Sequence, residues 1–146
     1  MSRRFTLAEA QRLIPRVERL MQDAVARKSE YQEAEQAVQA LAQRVTMMGG
    51  VAIDREQARQ SKMRRDGAAR KLREIIEEVQ EIGCVVKDLD IGLVDFPTRF
   101  RGVDVYLCWR LGETAIEYWH GMEEGFRGRK AIDEDFRANH EGEPQQ

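Results

Sequence analysis

From Leu7 to Val45 apolar side chains return every three or four residues, and this periodicity narrows the N-terminal third of the chain to one long amphipathic helix. The positions are Leu7, Ala10, Ile14, Val17, Met21, Ala24, Tyr31, Val38, Ala42 and Val45. Such spacing puts them on one face, close to the 3.5-residue repeat of a coiled-coil seam. Lys28 and Glu35 fall on the same seam as polar defects. Thr6 and Glu9 form a capping box at the start, with Phe5 in the staple position before it. The helix should run to about Met47, roughly 60 Å if unbroken. Pro15 lacks a backbone donor and should kink it.

Gly49-Gly50 breaks the pattern and is expected to form a tip. A second helix is expected from Asp54, with Gln57 completing another capping box. Its seam reads Ala58, Ala68, Leu72, Ile75, Val79 and Ile82, with Arg65 as a defect and Gly83 as the terminator. A short tip between two seamed helices makes them antiparallel neighbours. The first helix is longer, so its Leu7 to Ile14 turns should pack on whatever follows Gly83.

After Gly83 the period changes to two. Cys84-Val85-Val86, Ile91 to Phe96, and Val103 to Trp109 read as short strands. Pro97 to Gly102 reads as a turn-like connector, and Val103, Val105, Leu107 and Trp109 as one buried face. Gly112-Glu113 is expected to start a short third helix carrying Ile116, Trp119, His120 and Glu123, with Phe126 and Ile132 tucked back on the head. The fold class expected is mainly α (α+β): a long antiparallel two-helix, coiled-coil-like hairpin (5–83) and a small head (84–132) of a β-hairpin or short antiparallel sheet plus one short helix, one domain over 1–132. Residues 133–146 read as an acidic, flexible tail.

Charge limits the partners. The net charge is −2, so no global field draws the chain to nucleic acid or anionic lipid. The charged share of 34% suits long solvated helices. No stretch approaches the roughly 18 apolar residues of a membrane span. Met1 to Phe5 lead straight into an amphipathic pattern, so a cytoplasmic location is expected. There Cys84 and Cys108, which lack a C-x-x-C spacing, should be reduced.

The distribution is uneven. Residues 55–73 carry eight basic side chains against two acidic ones, whereas 74–104 carry eight acidic against three basic. Lys62, Arg64, Arg65, Arg70, Lys71 and Arg73 are therefore candidates for nucleic-acid contact. No Phe or Tyr is interleaved to stack bases, and a solvated helix explains the run as well.

Chemistry concentrates in the head. On a helix, Glu113, Glu117 and His120 would share one face, and Glu117 with His120 makes the Glu-x-x-His spacing of carboxylate-bridged metal sites. A divalent transition metal there would need further carboxylates from Asp88, Asp90 or Asp95, or from Glu74, Glu78 or Glu81. Asp95, Cys108, Trp109, Glu113, Trp119 and His120 could together line a small-ligand site. Cys108 and His120 could instead pair as nucleophile and base, although nothing in the spacing brings them together. Two tryptophans in so small a head are more often its core, and that reading is favoured for Trp109 and Trp119.

The stretch Asp88 to Pro97 and the block Val105 to Glu113, continued by Ile116 and Tyr118-Trp119-His120, resemble a known family. With Phe5-Thr6-Leu7 and Glu9-Ala10, they are similar to the bacterial domain-of-unknown-function family 2203, over nearly the whole chain to about Asp133. The resemblance implies that these motif residues sit together in the head, and it implies no activity. The expected role is a non-enzymatic interaction module, a homodimer or a grip for a protein partner along the hairpin. The alternatives are a metal or small-ligand site in the head and RNA or ribosome association through the basic segment.

Overall fold

A computed structural model describes residues 3–47 and 55–142. Two long helices, α1 (Leu7–Met47) and α2 (Arg55–Ile82), are packed together, and a small antiparallel sheet and short helix follow them. The expected Gly49-Gly50 tip and Asp54 cap lie outside the described residues. The Thr6 capping box is formed: Glu9 N donates to Thr6 Oγ1 at 3.1 Å and Thr6 N to Glu9 Oε1 at 3.2 Å. Pro15 sits inside α1, whose helical run continues on both sides of it. No helix among the described residues is long and apolar enough to cross a membrane.

The chain divides into two compact units, a helical unit over Asp23–Ile75 and a head made of everything before and after it. In the helical unit the buried stripe departs from the strict repeat. Ala34 and Leu41 are buried, whereas Ala42 is exposed and Glu35 half-buried. An extra three-residue step after Ala24 shifts the stripe by one position. It leaves the two seam defects, Glu35 and Arg65, at the flank, where they pair at 3.3 Å.

In the head, strands β1 (Val85–Asp88), β2 (Leu93–Phe100), β3 (Val103–Arg110), β4 (Tyr118–Gly121) and β5 (Lys130–Ala131) pair antiparallel in that order. A last strand, β6 (His140–Glu141), pairs with the end of β2. Along its outer edge β2 meets β1 at Val94 and Asp95, then Phe5, then β6 at Arg99 and Phe100. Phe5 N donates to Pro97 O at 2.7 Å. Pro97 has no N–H to offer, so the strand tolerates it at the place where no full strand pairs.

One sheet face carries Val94, Phe96, Val105, Leu107 and Trp109. They close a single core with Phe5, Ala10, Ile14, Val17 and Met21 from the start of the chain and Val79 and Ile82 from the end of α2. The early turns of α1 thus pack on the sheet, as its extra length requires.

Four expectations are corrected. Residues 97–100 belong to β2, and the turn is confined to Arg101-Gly102. Val103, beside that turn, is 61% exposed, beyond the cover of the core. The expected helix over Gly112 to Glu123 is instead a left-handed turn at Gly112 (φ 104°) followed by β4, because pairing with β3 outweighs helical spacing in an aromatic run. Phe126, expected against the head, is 39% exposed in a 3₁₀ turn, Phe126–Gly128.

The polar end of the chain is also built into the head. Asp133 caps a short helix, α3 (Glu134–Asn139), accepting from Phe136 N at 2.8 Å. Phe136 is fully buried between Phe100 and Trp119, with ring centroids 4.8 and 5.0 Å away. His140 donates from Nδ1 to the Phe136 carbonyl, and its Nε2 accepts from Leu7 N at 2.9 Å. A single imidazole therefore ties the end of α3 to the start of α1.

Candidate metal centre

The sheet face opposite the core holds a second, polar cluster. Asp95 in β2 stands directly opposite Cys108 in β3, and Tyr106, two residues earlier on the same face, stands opposite His120 in β4. Strand alternation therefore aims Asp95, Cys108 and His120 at one another from three adjacent strands. Their ligand atoms, a carboxylate oxygen, a thiol sulfur and a ring nitrogen, all lie within 4.8 Å of one another. All three side chains are sealed from solvent.

His120 Nε2 lies 3.0 Å from Asp95 Oδ1, and Nδ1 lies 2.8 Å from the Gly121 carbonyl. A carbonyl only accepts, so Nδ1 carries a proton. Burial works against a charged imidazole, but the bonds to Asp95, Cys108 and the Gly121 carbonyl outweigh it and push the His120 pKa up to about 10. Asp95 Oδ2 is buried without a hydrogen-bond partner among the described residues.

Two tyrosines stand on the same face: Tyr106, with its ring 5.5 Å from the imidazole, and Tyr118, opposite Cys108. Lys87 lies over the Tyr106 ring and Arg129 over that of Tyr118, 4.1 Å from its centroid. Tyr106 also lines a cleft of about 340 Å³, together with Val85, Pro97, Asp104 and Met122.

The structure divides the residues singled out in the sequence. Asp95, Cys108 and His120 meet. Glu113 does not join them: its carboxylate binds the Arg110 N–H and the Arg129 guanidinium, both at 2.6 Å. Glu117 is exposed, and its carbonyl accepts from Ile132 N. The Glu-x-x-His face is lost because no helix forms here: Glu117 lies just before β4 and is exposed, whereas His120 is buried within the strand. Trp109 is core and donates to the Glu113 carbonyl, while Trp119 joins the aromatic stack around Phe136. Asp88, Asp90, Glu74, Glu78 and Glu81 are exposed. In the basic segment Arg65 is engaged by Glu35 and Asp66, while Lys62, Arg64, Arg70, Lys71 and Arg73 are exposed.

Arg129 and the Gly121 carbonyl belong to the site and were not legible in the sequence. Both act through strand ends whose positions the pairing of β4 and β5 sets. The odd-even alternation of Asp95 and Cys108 was the one signal available.

The model of a family described as an uncharacterized conserved protein (DUF2203) matches residues 3–132, most of the chain. No curated protein and no solved structure matches.

Proposed function

The chain belongs to the DUF2203 family, whose description names no activity, and from its own residues we propose that it binds one divalent d-block cation, zinc above all, at Asp95, Cys108 and His120. The observation that carries this reading is the convergence of three unlike ligand groups, sealed from solvent, within 4.8 Å, with Asp95 Oδ2 lacking any partner among the described residues.

The chemistry of the set suits such a metal. Thiolate, imidazole and carboxylate are the three zinc donors, and three of them leave a fourth position for water or substrate. The Nδ1–H bond to Gly121 is the outer-shell contact that orients a metal-binding imidazole through Nε2. The cation would take the place of the Nε2 proton, so uptake releases protons. Bonds of about 2.0–2.3 Å require the three side chains to adjust around the ion. The metal would supply Lewis acidity at the fourth position.

Elemental analysis of tag-free protein purified without chelator tests the reading. About one zinc per chain is expected, lost in Cys108→Ser. Cobalt should replace it, with a thiolate charge-transfer band in the near ultraviolet. Metal-free protein that takes up neither ion would remove the proposal.

A helical assembly module is the second reading, supported by the helical unit. Met47 and Met63 are 85% and 59% exposed, and a hollow of about 240 Å³ is lined by Val38, Leu41, Ala42, Ala58 and Lys62. In its homodimer form a monomer by light scattering at micromolar concentration counts against it; a protein partner along the hairpin is its other form.

A further inference from the structure

Arg129 is the last residue of the segment that joins β4 to β5, and it reaches back to Cys108. Its Nη2 donates to the Cys108 carbonyl at 3.2 Å and to Glu113 Oε1 at 2.6 Å. Both contacts come from the same nitrogen of the guanidinium. Tyr118 and Phe126 enclose it at 4.1 and 4.9 Å from their ring centroids. The same segment is pinned at its other end by Glu124, which accepts from Gly121 N and from Lys130 Nζ.

We infer that Arg129 is a latch on the Asp95–Cys108–His120 centre: it fixes the backbone of Cys108 from the β4–β5 connection and so slows the release of bound metal. The inference rests on the metal reading above. A guanidinium that merely tied the segment to the sheet could use any carbonyl. This one takes the carbonyl of a ligand residue, and Glu113 holds it there. The Glu113–Arg129 pair steadies that nitrogen, so weakening it loosens the contact to the Cys108 carbonyl.

Glu113→Gln and Arg129→Lys probe the latch in the full chain. The amide weakens the pair, and the ammonium keeps the charge but loses the fork and the ring stacking. Each variant is loaded with cobalt and mixed with excess chelator, and decay of the thiolate band is followed. Release about tenfold faster than in the wild type, or more, is the expected result, the usual scale for outer-shell contacts to a metal site. The band should still form, and the metal-free variants should melt cooperatively. Should Arg129→Lys fail to fold, Glu113→Gln, which retains the guanidinium, decides alone. An unchanged release rate overturns the latch and leaves the metal reading standing. Absence of the cobalt band in the wild type overturns both.

Discussion

Asp95 and His120 belong to strands that are not neighbours, yet Asp95 Oδ1 lies 3.0 Å from His120 Nε2, across the intervening Cys108 of β3. Both side chains are fully buried. The pair thus spans the middle three strands on the face away from the main core. Each member is stabilised by the other, since removing either leaves a desolvated polar group without its counterpart.

His120→Ala in the metal-free protein should therefore cost about 3–5 kcal/mol. The double replacement Asp95→Val with His120→Leu should cost less than the sum of Asp95→Val alone and His120→Leu alone, because it removes both desolvated groups together. Urea denaturation of the four proteins closes the cycle. Additive losses would mean that the two residues do not interact.

Cys84 should weaken the fold in alkali. Burial pushes its thiol from 9.0 up to about 12, with Arg3 and Arg16 opposing the shift. The folded state then holds the proton more tightly than the unfolded chain. Its contribution is complete below pH 9 and is lost as pH rises toward 12. Cys84→Val should flatten the stability profile in that window relative to the wild type. Equal slopes would place the thiol in contact with water.

The C-terminal segment should contribute to stability despite its polar sequence. Phe136→Ala removes a fully buried ring stacked on Phe100 and Trp119, and a loss of about 3–5 kcal/mol is expected. A change below half a kcal/mol, within the range of ordinary surface substitutions, would mean that the ring is not packed.

Gly92 and Gly102 both have positive φ, 67° and 79°, but their surroundings differ. A Cβ at Gly92 would lie 2.5 Å from the Leu111 Cβ, whereas one at Gly102 would meet nothing. Gly102→Ala should cost about 1–2 kcal/mol for the backbone alone. Gly92→Ala should cost clearly more, since Leu111 must also move. Similar melting temperatures for the two variants would contradict the close approach.

The helices were legible because their signals are local. The Thr6–Glu9 cap, the three- and four-residue spacing and the Gly83 terminator each act within one or two turns. The clean alternation of Val105, Leu107 and Trp109 likewise identified the core face of β3. The short runs were less secure. Tyr118-Trp119-His120 carries helical spacing with Glu113 and Ile116, and only the open edge of β3 turns it into a strand. Pro97 looked like a turn because its missing donor is a liability in most strands. Phe5, 92 residues earlier, supplies the edge contact that makes the position acceptable.

By itself, then, the sequence determined the elements whose causes lie within a few residues: two amphipathic helices, the cap of the first, and an alternating strand after Gly83. The tertiary structure alone decided which polar side chains share a site. Glu117 and His120 are three residues apart, one exposed and the other buried, while Asp95, Cys108 and His120 are drawn together over gaps of 13 and 12 residues. Side-chain direction in a strand alternates with every residue, so the composition of a site depends on the register between strands. Register is set by the hairpin turns and by the buried face of the whole sheet, not by the few residues that meet there.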